Sequence, residues 1–358
     1  MIKRKVIILG STGSIGTTCL NAIRNGLLYG EVTGLVARSS KDSLSELAKE
    51  FNCPYFINDN SNKLKEFLSS LDGDIVLNGI AGAPGLEASL IALNCGFDLA
   101  LANKESIVMG GDFILNEAKR LNRKIIPVDS EHSAIYNLIK AHNKIHSVVI
   151  TASGGPFYQK KNLDNVTVEE AINHPTWKMG KKISIDSATL ANKGLEVIEA
   201  GFLFNLSPKD IEVTIHRQSV IHSMIRLDNG AVYAQLSPPD MTLPIVGAVN
   251  DEVNPLYNVV KPLSFEDLTL TFKKWDEDEF PLLALAYKAL EQKGSYPIAF
   301  NAANEVAVGL FIDHKIKFTS IANITKEVLM HDFSATCNSF EEIMYQDQRA
   351  RAIALKGF

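Results

Sequence analysis

The chain has 358 residues, 46% of them hydrophobic and 22% charged, with a formal net charge of −5. That length exceeds one ordinary core, so two or three domains of a globular protein are expected. The mild acidity without a basic block argues against a nucleic-acid or membrane-surface role. No segment reaches the roughly 20 apolar residues that span a bilayer. The cysteines Cys19, Cys53, Cys95 and Cys337 are scattered and form no Cys-x-x-Cys pair, which excludes a zinc ribbon or disulfide framework and fits a reducing cytoplasm. The apolar run 6–9 behind Lys3-Arg4-Lys5 is too short for a signal-peptide core.

Residues 6–9 read as a buried strand, and Gly10-Ser11-Thr12-Gly13-Ser14-Ile15-Gly16 follows at once. Ile15, Cys19, Leu20 and Ile23 then recur at helical spacing. Strand, glycine turn and helix is the context of a dinucleotide site, in which glycines admit a pyrophosphate to the helix N-terminus. The next strand, 32–37, ends in Arg38-Ser39-Ser40. An NAD site usually carries an acidic residue here for the ribose 2′-hydroxyl. A cation with two hydroxyls suits a 2′-phosphate instead, so NADP(H) is expected.

Strand and helix patterns continue with a strand at 74–77, a helix at 86–93, a strand at 98–101, a helix from about 112 to 121 and a strand at 125. Repeats of this length predict a parallel, doubly wound sheet whose ligands bind at the C-terminal strand ends. Asn103-Lys104-Glu105 and Asp129-Ser130-Glu131 fall at such ends. Lys104 there is either half of a surface ion pair or a substrate ligand. Asp129 and Glu131, at i and i+2 on extended chain, would project to one side and repel unless water or a cation separates them. A hard divalent cation resolves that conflict. The same residues also read as a helix start, with Asp129 or Ser130 as N-cap and Glu131 in the first turn.

After a strand at 147–151 comes Ser153-Gly154-Gly155-Pro156, suited to a phosphate or to an ordinary turn. The polar segment 158–182 holds His174-Pro175-Thr176-Trp177 and Gly180, where Trp177 is a core plug or the tip of a lid. Asp186-Ser187-Ala188-Thr189 is expected to N-cap a helix on which Asn192, Lys193 and Glu196 share a face. Ser187, Asn192 and Lys193 are donors that a phosphate needs, and Glu196 offers a third carboxylate. Strands at 213–216, 220–227 and 231–236, with a hairpin at Asn229-Gly230, predict an α+β domain with an edge free for dimer pairing. An irregular linker at 254–262 leads to helices at 282–292, 298–311, 321–331 and 340–355. Asn301, Asn304 and Glu305 there read as a buried packing network.

Taken in order, these motifs resemble the 1-deoxy-D-xylulose 5-phosphate reductoisomerase family along the whole chain. They are the glycine loop, Leu101-Ala102-Asn103-Lys104-Glu105, Pro127-Val128-Asp129-Ser130-Glu131-His132, Ser153-Gly154-Gly155, His174-Pro175-Thr176-Trp177 and Asp186-Ser187-Ala188-Thr189 leading to Asn192-Lys193-Gly194-Leu195-Glu196. Asn301-Ala302-Ala303-Asn304-Glu305 extends the match to the last segment.

The resemblance implies an α/β fold with an N-terminal Rossmann-like parallel sheet, a central α+β catalytic domain and a C-terminal helical domain. Its expected boundaries are 1–128 for NADPH, 129–250 for catalysis with a lid near 153–181, a linker at 251–275, and helices at 276–358. It implies a cytoplasmic homodimer that uses NADPH and Mn²⁺, Mg²⁺ or Co²⁺ to convert 1-deoxy-D-xylulose 5-phosphate to 2-C-methyl-D-erythritol 4-phosphate, a step of non-mevalonate isoprenoid synthesis. Asp129, Glu131 and Glu196 would hold the metal and, with Lys104, form the catalytic set. Thr12, Gly13, Ser14, Ile15, Arg38, Ser39, Ser40, Asn103, Glu105 and Gly180 would contact the cofactor. Lys104, Ser130, Glu131, Ser153, His174, Ser187, Asn192, Lys193 and Glu196 would contact the substrate.

The chain departs from the family pattern at Arg38-Ser39-Ser40, at Gln235-Leu236-Ser237-Pro238-Pro239-Asp240, and at Arg217, where His-Pro-Gln-Ser is usual. The last two are expected to be local backbone variation that touches no ligand group. An NADP dehydrogenase of an acidic substrate would not need three carboxylates sharing a cation, and an NADP(H)-sensing regulator would need only the first motif.

Overall fold

The computed structural model describes residues 1–358 except 59, 143, 161, 178, 252, 255, 256, 357 and 358. Aliphatic strands alternate with amphipathic helices from the start: β1 (Arg4–Leu9), α1 (Ser14–Arg24), β2 (Gly30–Ala37), α2 (Lys41–Phe51), β3 (Tyr55–Ile57) and α3 (Ser61–Ser69). β4 (Ile75–Asn78), α4 (Pro84–Asn94), β5 (Asp98–Leu101), α5 (Lys104–Arg120), β6 (Ile125–Pro127) and α6 (Ser130–His142) continue the pattern. The middle comprises β7 (Ser147–Ala152), α7 (Val168–Ile172), α8 (Lys181–Ala188), α9 (Ala191–Leu203), β8 (Ile211–Ile215), β9 (Ile221–Arg226), β10 (Val232–Leu236) and α10 (Thr242–Asn250). Four helices end the chain: α11 (Pro281–Gln292), α12 (Tyr296–Ile312), α13 (Ser320–Leu329) and α14 (Phe340–Lys356).

The chain forms two compact units: residues 1–106, 114–136 and 240–263 make the first, and 107–113, 137–239 and 264–358 the second. These divisions cut the chain differently from the expected boundaries, because α10 returns to the first unit. It buries Ile245, Val246 and Val249 in the core that Val6, Ile8, Leu20 and Ile75 build. An apolar helix so far along the chain can only be placed by its partners, not by its own pattern.

In the first unit six parallel strands run in the order β3-β2-β1-β4-β5-β6. Chain order reverses beside β1, so the sheet has its switch point between β1 and β4, where doubly wound sheets bind ligands. The parallel strands are near-continuous apolar runs because helices cover both faces. The sequence reading has no counterpart for α2, β3 and α3, whose few buried positions leave a faint pattern. α5 starts at Lys104 rather than near 112, and Gly111 (φ 44°, ψ −131°) interrupts it with non-helical backbone.

In the second unit a mixed sheet runs β10-β9-β7-β8, with only β7 and β8 parallel. α9 packs on α11 through Gly194 and Gly201, where an added Cβ would lie 2.7 Å from Ala286 Cβ and 2.7 Å from Leu290 Cδ1. Two glycines seven residues apart share a helix face, so the backbones approach closely and fix α9 against the helical layer. The predicted strands and the four terminal helices all appear. One expectation is corrected: Asp186 and Ser187 lie inside α8, and α9 instead starts after Leu190 in left-handed backbone (φ 54°). Thr189 Oγ1 accepts from Ala191 N at 3.2 Å across that break, so the polar residues close one helix and pivot the chain into the next.

Candidate active site

At the β1–α1 turn, an added Cβ on Gly16 would sit 2.5 Å from Gly10 O and 2.6 Å from Ser11 Cα. Only glycine permits this packing of helix against turn. Gly13 opens α1 and no side chain caps the helix; Gly13 and Ser14 are exposed and Thr12 and Ile15 half-buried. The amides and dipole of α1 thus face outward at the switch point, which fits a pyrophosphate. Arg38, Ser39 and Ser40 lie exposed at the end of β2, the position at which a dinucleotide's 2′-substituent is read.

Asn103 and Glu105, after the end of β5, are buried, 2% and 7% exposed. Asn103 Oδ1 accepts from Ser106 N (2.9 Å), capping α5, while its Nδ2 donates to Gly82 O (3.0 Å) and Glu105 Oε2 (2.9 Å). A chain of buried groups, Asn78, Ser89 and Ser106, joins them. Asn103's carboxamide is therefore committed to holding the loops after β4 and β5.

The β5–β6 pairing puts Leu101 opposite Pro127, which brings the strand-end residues Lys104 and Asp129 together at 2.6 Å. Asp129 also meets His132 Nδ1 at 3.2 Å and accepts from Glu131 N at 3.2 Å. Ser130 Oγ donates to Glu131 Oε2 at 2.6 Å. The helix-start reading holds: α6 begins at Ser130 with Glu131 in its first turn, so the two carboxylates do not lie on extended chain. Burial opposes the charge on Asp129, yet Lys104 and then His132 outweigh it and hold the carboxyl well below the usual range. The site therefore presents an ionised carboxylate.

In the second unit the parallel pair β7 and β8 presents the Ser153 loop. Gly154 and Gly155 both have positive φ (77° and 64°), and an added Cβ on Gly155 would meet Ser187 O at 2.7 Å. The loop thus lies directly on the end of α8. Ser153 Oγ lies 2.9 Å from His174 Nε2. His174 Nδ1 accepts from the amides of Thr176 and Trp177 at 3.1 and 2.9 Å. That fixes the tautomer: Nε2 carries the proton and donates to Ser153. Burial, and behind it the Arg217 charge, pushes the imidazole down to about 4, so the ring is neutral near pH 7. Ser153 Oγ also accepts from Gly155 N at 3.2 Å, which leaves its hydroxyl proton to donate outward.

On α9, Asn192 Nδ2 donates to Glu196 Oε1 and Lys193 Nζ to Glu196 Oε2, each at 2.5 Å. The Lys193 and Glu196 side chains are only 5% and 1% exposed. Burying such a pair costs several kcal/mol per ion, and apolar residues would pack as well (~1–4 kcal/mol better in some proteins). A buried pair flanked by an amide is thus better explained by a ligand than by stability. Asn304 Nδ2 donates to Asp186 Oδ1 at 2.8 Å, both fully buried, and Lys182 pairs with Asp186 at 2.9 Å. The single network expected around Asn301, Asn304 and Glu305 separates in the structure: Asn304 braces, through Asp186, the helix that carries Ser187, while Glu305 pairs with Arg351.

The predicted residues therefore divide over the units. Thr12, Gly13, Ser14, Ile15, Arg38, Ser39, Ser40, Asn103, Lys104, Glu105, Asp129, Ser130 and Glu131 lie in the first, and Ser153, His174, Gly180, Ser187, Asn192, Lys193 and Glu196 in the second. Gly180 opens α8 as its N-cap. Of the predicted lid, residues 161 and 178 lie outside those described. Sequence reasoning missed Arg217. Read as touching no ligand group, it instead donates from Nη1 to Ser153 O and Gly155 O, at 2.7 Å each. Its partners are 62 and 64 positions away, so no local signal exposes it. Among the described residues no helix is long and apolar enough to cross a membrane.

Residues 125–204 match the family described as 1-deoxy-D-xylulose 5-phosphate reductoisomerase C-terminal domain, and 236–353 the DXP reductoisomerase C-terminal domain. Residues 6–72 and 53–111 match 1-deoxy-D-xylulose 5-phosphate reductoisomerase. The chain is 47% identical to the protein of that name from Treponema denticola, over 99% of this chain and 97% of the relative. The Treponema pallidum protein is 43% identical, with the same 99% and 97% coverage. The structure of the Zymomonas mobilis enzyme with NADPH superposes with a TM-score of 0.91 at 36% identity, covering 99% of each chain. A DOX-P reductoisomerase bound to NADPH, fosmidomycin and magnesium gives 0.89 at 37% identity, over 99% of this chain and 98% of that one.

Proposed function

The chain belongs to the 1-deoxy-D-xylulose 5-phosphate reductoisomerase family, and on that premise we propose how its residues divide the work of the family's reaction. The enzyme is an NADP-dependent oxidoreductase that rearranges and reduces 1-deoxy-D-xylulose 5-phosphate to 2-C-methyl-D-erythritol 4-phosphate. One NADPH and one proton are consumed per turnover and NADP⁺ leaves. The observation that carries this reading is the end-to-end similarity, 47% identity across 99% of the chain. Relatives solved with NADPH and magnesium support both as cofactors.

In our reading, the uncapped amides of Ser14 and Ile15 at the start of α1, with Thr12 and Gly13 beside them, take the pyrophosphate, and Arg38, Ser39 and Ser40 take the 2′-phosphate. Asn103 and Glu105 wall the cofactor through their loop network, and Gly180 adds a contact from α8. Ser153, His174, Ser187, Asn192 and Lys193 grip the substrate's phosphate. The neutral His174 donates to Ser153, so that the Ser153 hydroxyl donates onward to an anion. Ser130 orients Glu131 and contacts the sugar.

Asp129, Glu131 and Glu196 form an all-oxygen donor set of the kind that hard divalent cations select, and the ionised state of Asp129 fits that use. We assign the metal to these three. When bound, it supplies Lewis acidity at the sugar's ketone and neighbouring hydroxyl. Lys104, 2.6 Å from Asp129, places a second positive charge where negative charge develops on the sugar. The phosphate grip supplies remote binding energy that closes the lid around Trp177 and excludes water from the hydride acceptor.

We place the enzyme in the cytoplasm, consistent with all four cysteines being free. We also infer a homodimer paired through the edge strand β10, where Val232 and Tyr233 are 52% and 42% exposed. The test of the function is turnover: purified protein should oxidise NADPH only when the sugar phosphate and a divalent cation are both present. Turnover that survives exhaustive chelation removes the metal assignment.

A further inference from the structure

We propose that Arg217 is a positioning residue for substrate binding, whose guanidinium locks the Ser153–Gly155 loop in the conformation that offers the Ser153 hydroxyl to the substrate's phosphate. The inference rests on the reading of Ser153 and His174 as phosphate-gripping groups, and adds to it a residue that the motifs do not name.

The sheet register sets up the contact. β7 and β8 are parallel with Ala152 opposite Ile215, and His216 N donates to Ala152 O at 2.7 Å. The residues that follow the two strands must therefore leave the sheet side by side. Ser153, Gly154 and Gly155 leave from β7, and Arg217 leaves from β8.

Two consecutive glycines with positive φ make the first of these loops intrinsically loose, since glycine loses the most freedom on ordering. Its two carbonyls, Ser153 O and Gly155 O, converge on one guanidinium nitrogen. A charged donor at 2.7 Å makes each bond stronger than a neutral one. The guanidinium carbon also lies 5.5 Å from the centroid of the Tyr158 ring, a cation–π contact that adds to its hold.

The arginine is itself held firmly. His216 Nδ1 lies 2.9 Å from Thr271 O, and His216 Nε2 accepts from the amides of Val220 and Ile221 at 3.2 and 3.1 Å. Gln218 Nε2 donates to Thr269 O and Thr271 Oγ1 at 3.0 Å each. Anchored on both flanks, Arg217 ties the glycine loop to the rigid β8–β9 connection from the strand side, while His174 and the end of α8 hold it through their own contacts. Without it, Gly154 and Gly155 regain freedom and the Ser153 hydroxyl loses its fixed direction.

The test is steady-state kinetics on the full-length enzyme with Arg217→Met, which keeps bulk and removes the donors, and Arg217→Lys, which restores charge and donors. Arg217→Met should raise both the KM for 1-deoxy-D-xylulose 5-phosphate and the inhibition constant of inorganic phosphate about tenfold. The Kd for NADPH should stay within about twofold, and Arg217→Lys should recover most of the loss. Unchanged phosphate inhibition in Arg217→Met overturns the proposal. So does a loss of NADPH and phosphate affinity together, with lowered Tm and no rescue by lysine. Should Arg217→Met fail to fold, Arg217→Gln against Arg217→Lys makes the same comparison. A wild-type enzyme that binds inorganic phosphate but does not turn over the sugar phosphate overturns the functional reading instead, and leaves the effect of Arg217 on phosphate binding to be judged on its own.

Discussion

His174 illustrates how much chemistry one side chain can take from its hydrogen bonds. Two backbone amides occupy Nδ1, so the ring must carry its proton on Nε2 and donate to Ser153. An NMR titration should find it neutral down to a midpoint of about 4. Because the folded value lies below the ordinary 6.5, the unfolded chain binds the proton first. The stability that the neutral ring contributes is full above 6.5 and is lost as the pH falls through about 4. A midpoint near 6.5 would show that the ring is not buried beside Arg217 as described. Glu196 is the second residue whose role is separable by charge alone. Glu196→Gln keeps the shape but turns one of the two oxygens that accept from Asn192 and Lys193 into a donor, and should lower kcat/KM about 100-fold by weakening metal binding. NADPH affinity, read by fluorescence titration, should be nearly unchanged; unfolding of the variant would favour a purely structural pair.

Elements explain which parts of the site were legible in the sequence. The β1–α1 turn was readable because its glycines, strand and helix are contiguous. Gly16→Ala tests it: the methyl would meet Gly10 O at 2.5 Å, so calorimetry should show a loss of about 1–3 kcal/mol and NADPH titration a weaker complex. Retention of both would mean that the turn has room to relax. The α8–α9 break was misread, because Asp186-Ser187-Ala188-Thr189 has N-cap chemistry while tertiary contacts give it to the preceding helix. Asn304, on α12, supplies one of those contacts. Asn304→Ala should cost about 1–3 kcal/mol by leaving Asp186 short of a partner, and should raise the substrate KM through Ser187. A stability loss with unchanged KM would confine the contact to packing. Arg217 was opaque for a different reason: only the parallel pairing of β7 with β8 brings it to Ser153.

At the scale of the whole molecule, the repeat of strand and helix foretold the parallel sheet, and the four terminal helices were plain from their periodicity. The grouping of the chain was not, since α10 rejoins the first unit through burial of Ile245, Val246 and Val249, which no local pattern encodes. The exposed β10 edge bears on assembly. If copies pair there, Tyr233→Lys should convert a dimer to a monomer by light scattering, and a dimer that persists would assign the interface elsewhere. The central claim is that one active site joins a nicotinamide cofactor, a divalent cation and a sugar phosphate in a single reaction. It is tested most directly by following NADPH absorbance with 1-deoxy-D-xylulose 5-phosphate before and after chelation and metal readdition. The account predicts oxidation that stops on chelation and returns with Mg²⁺ or Mn²⁺; oxidation indifferent to metal, or none with this substrate in any condition, would contradict it.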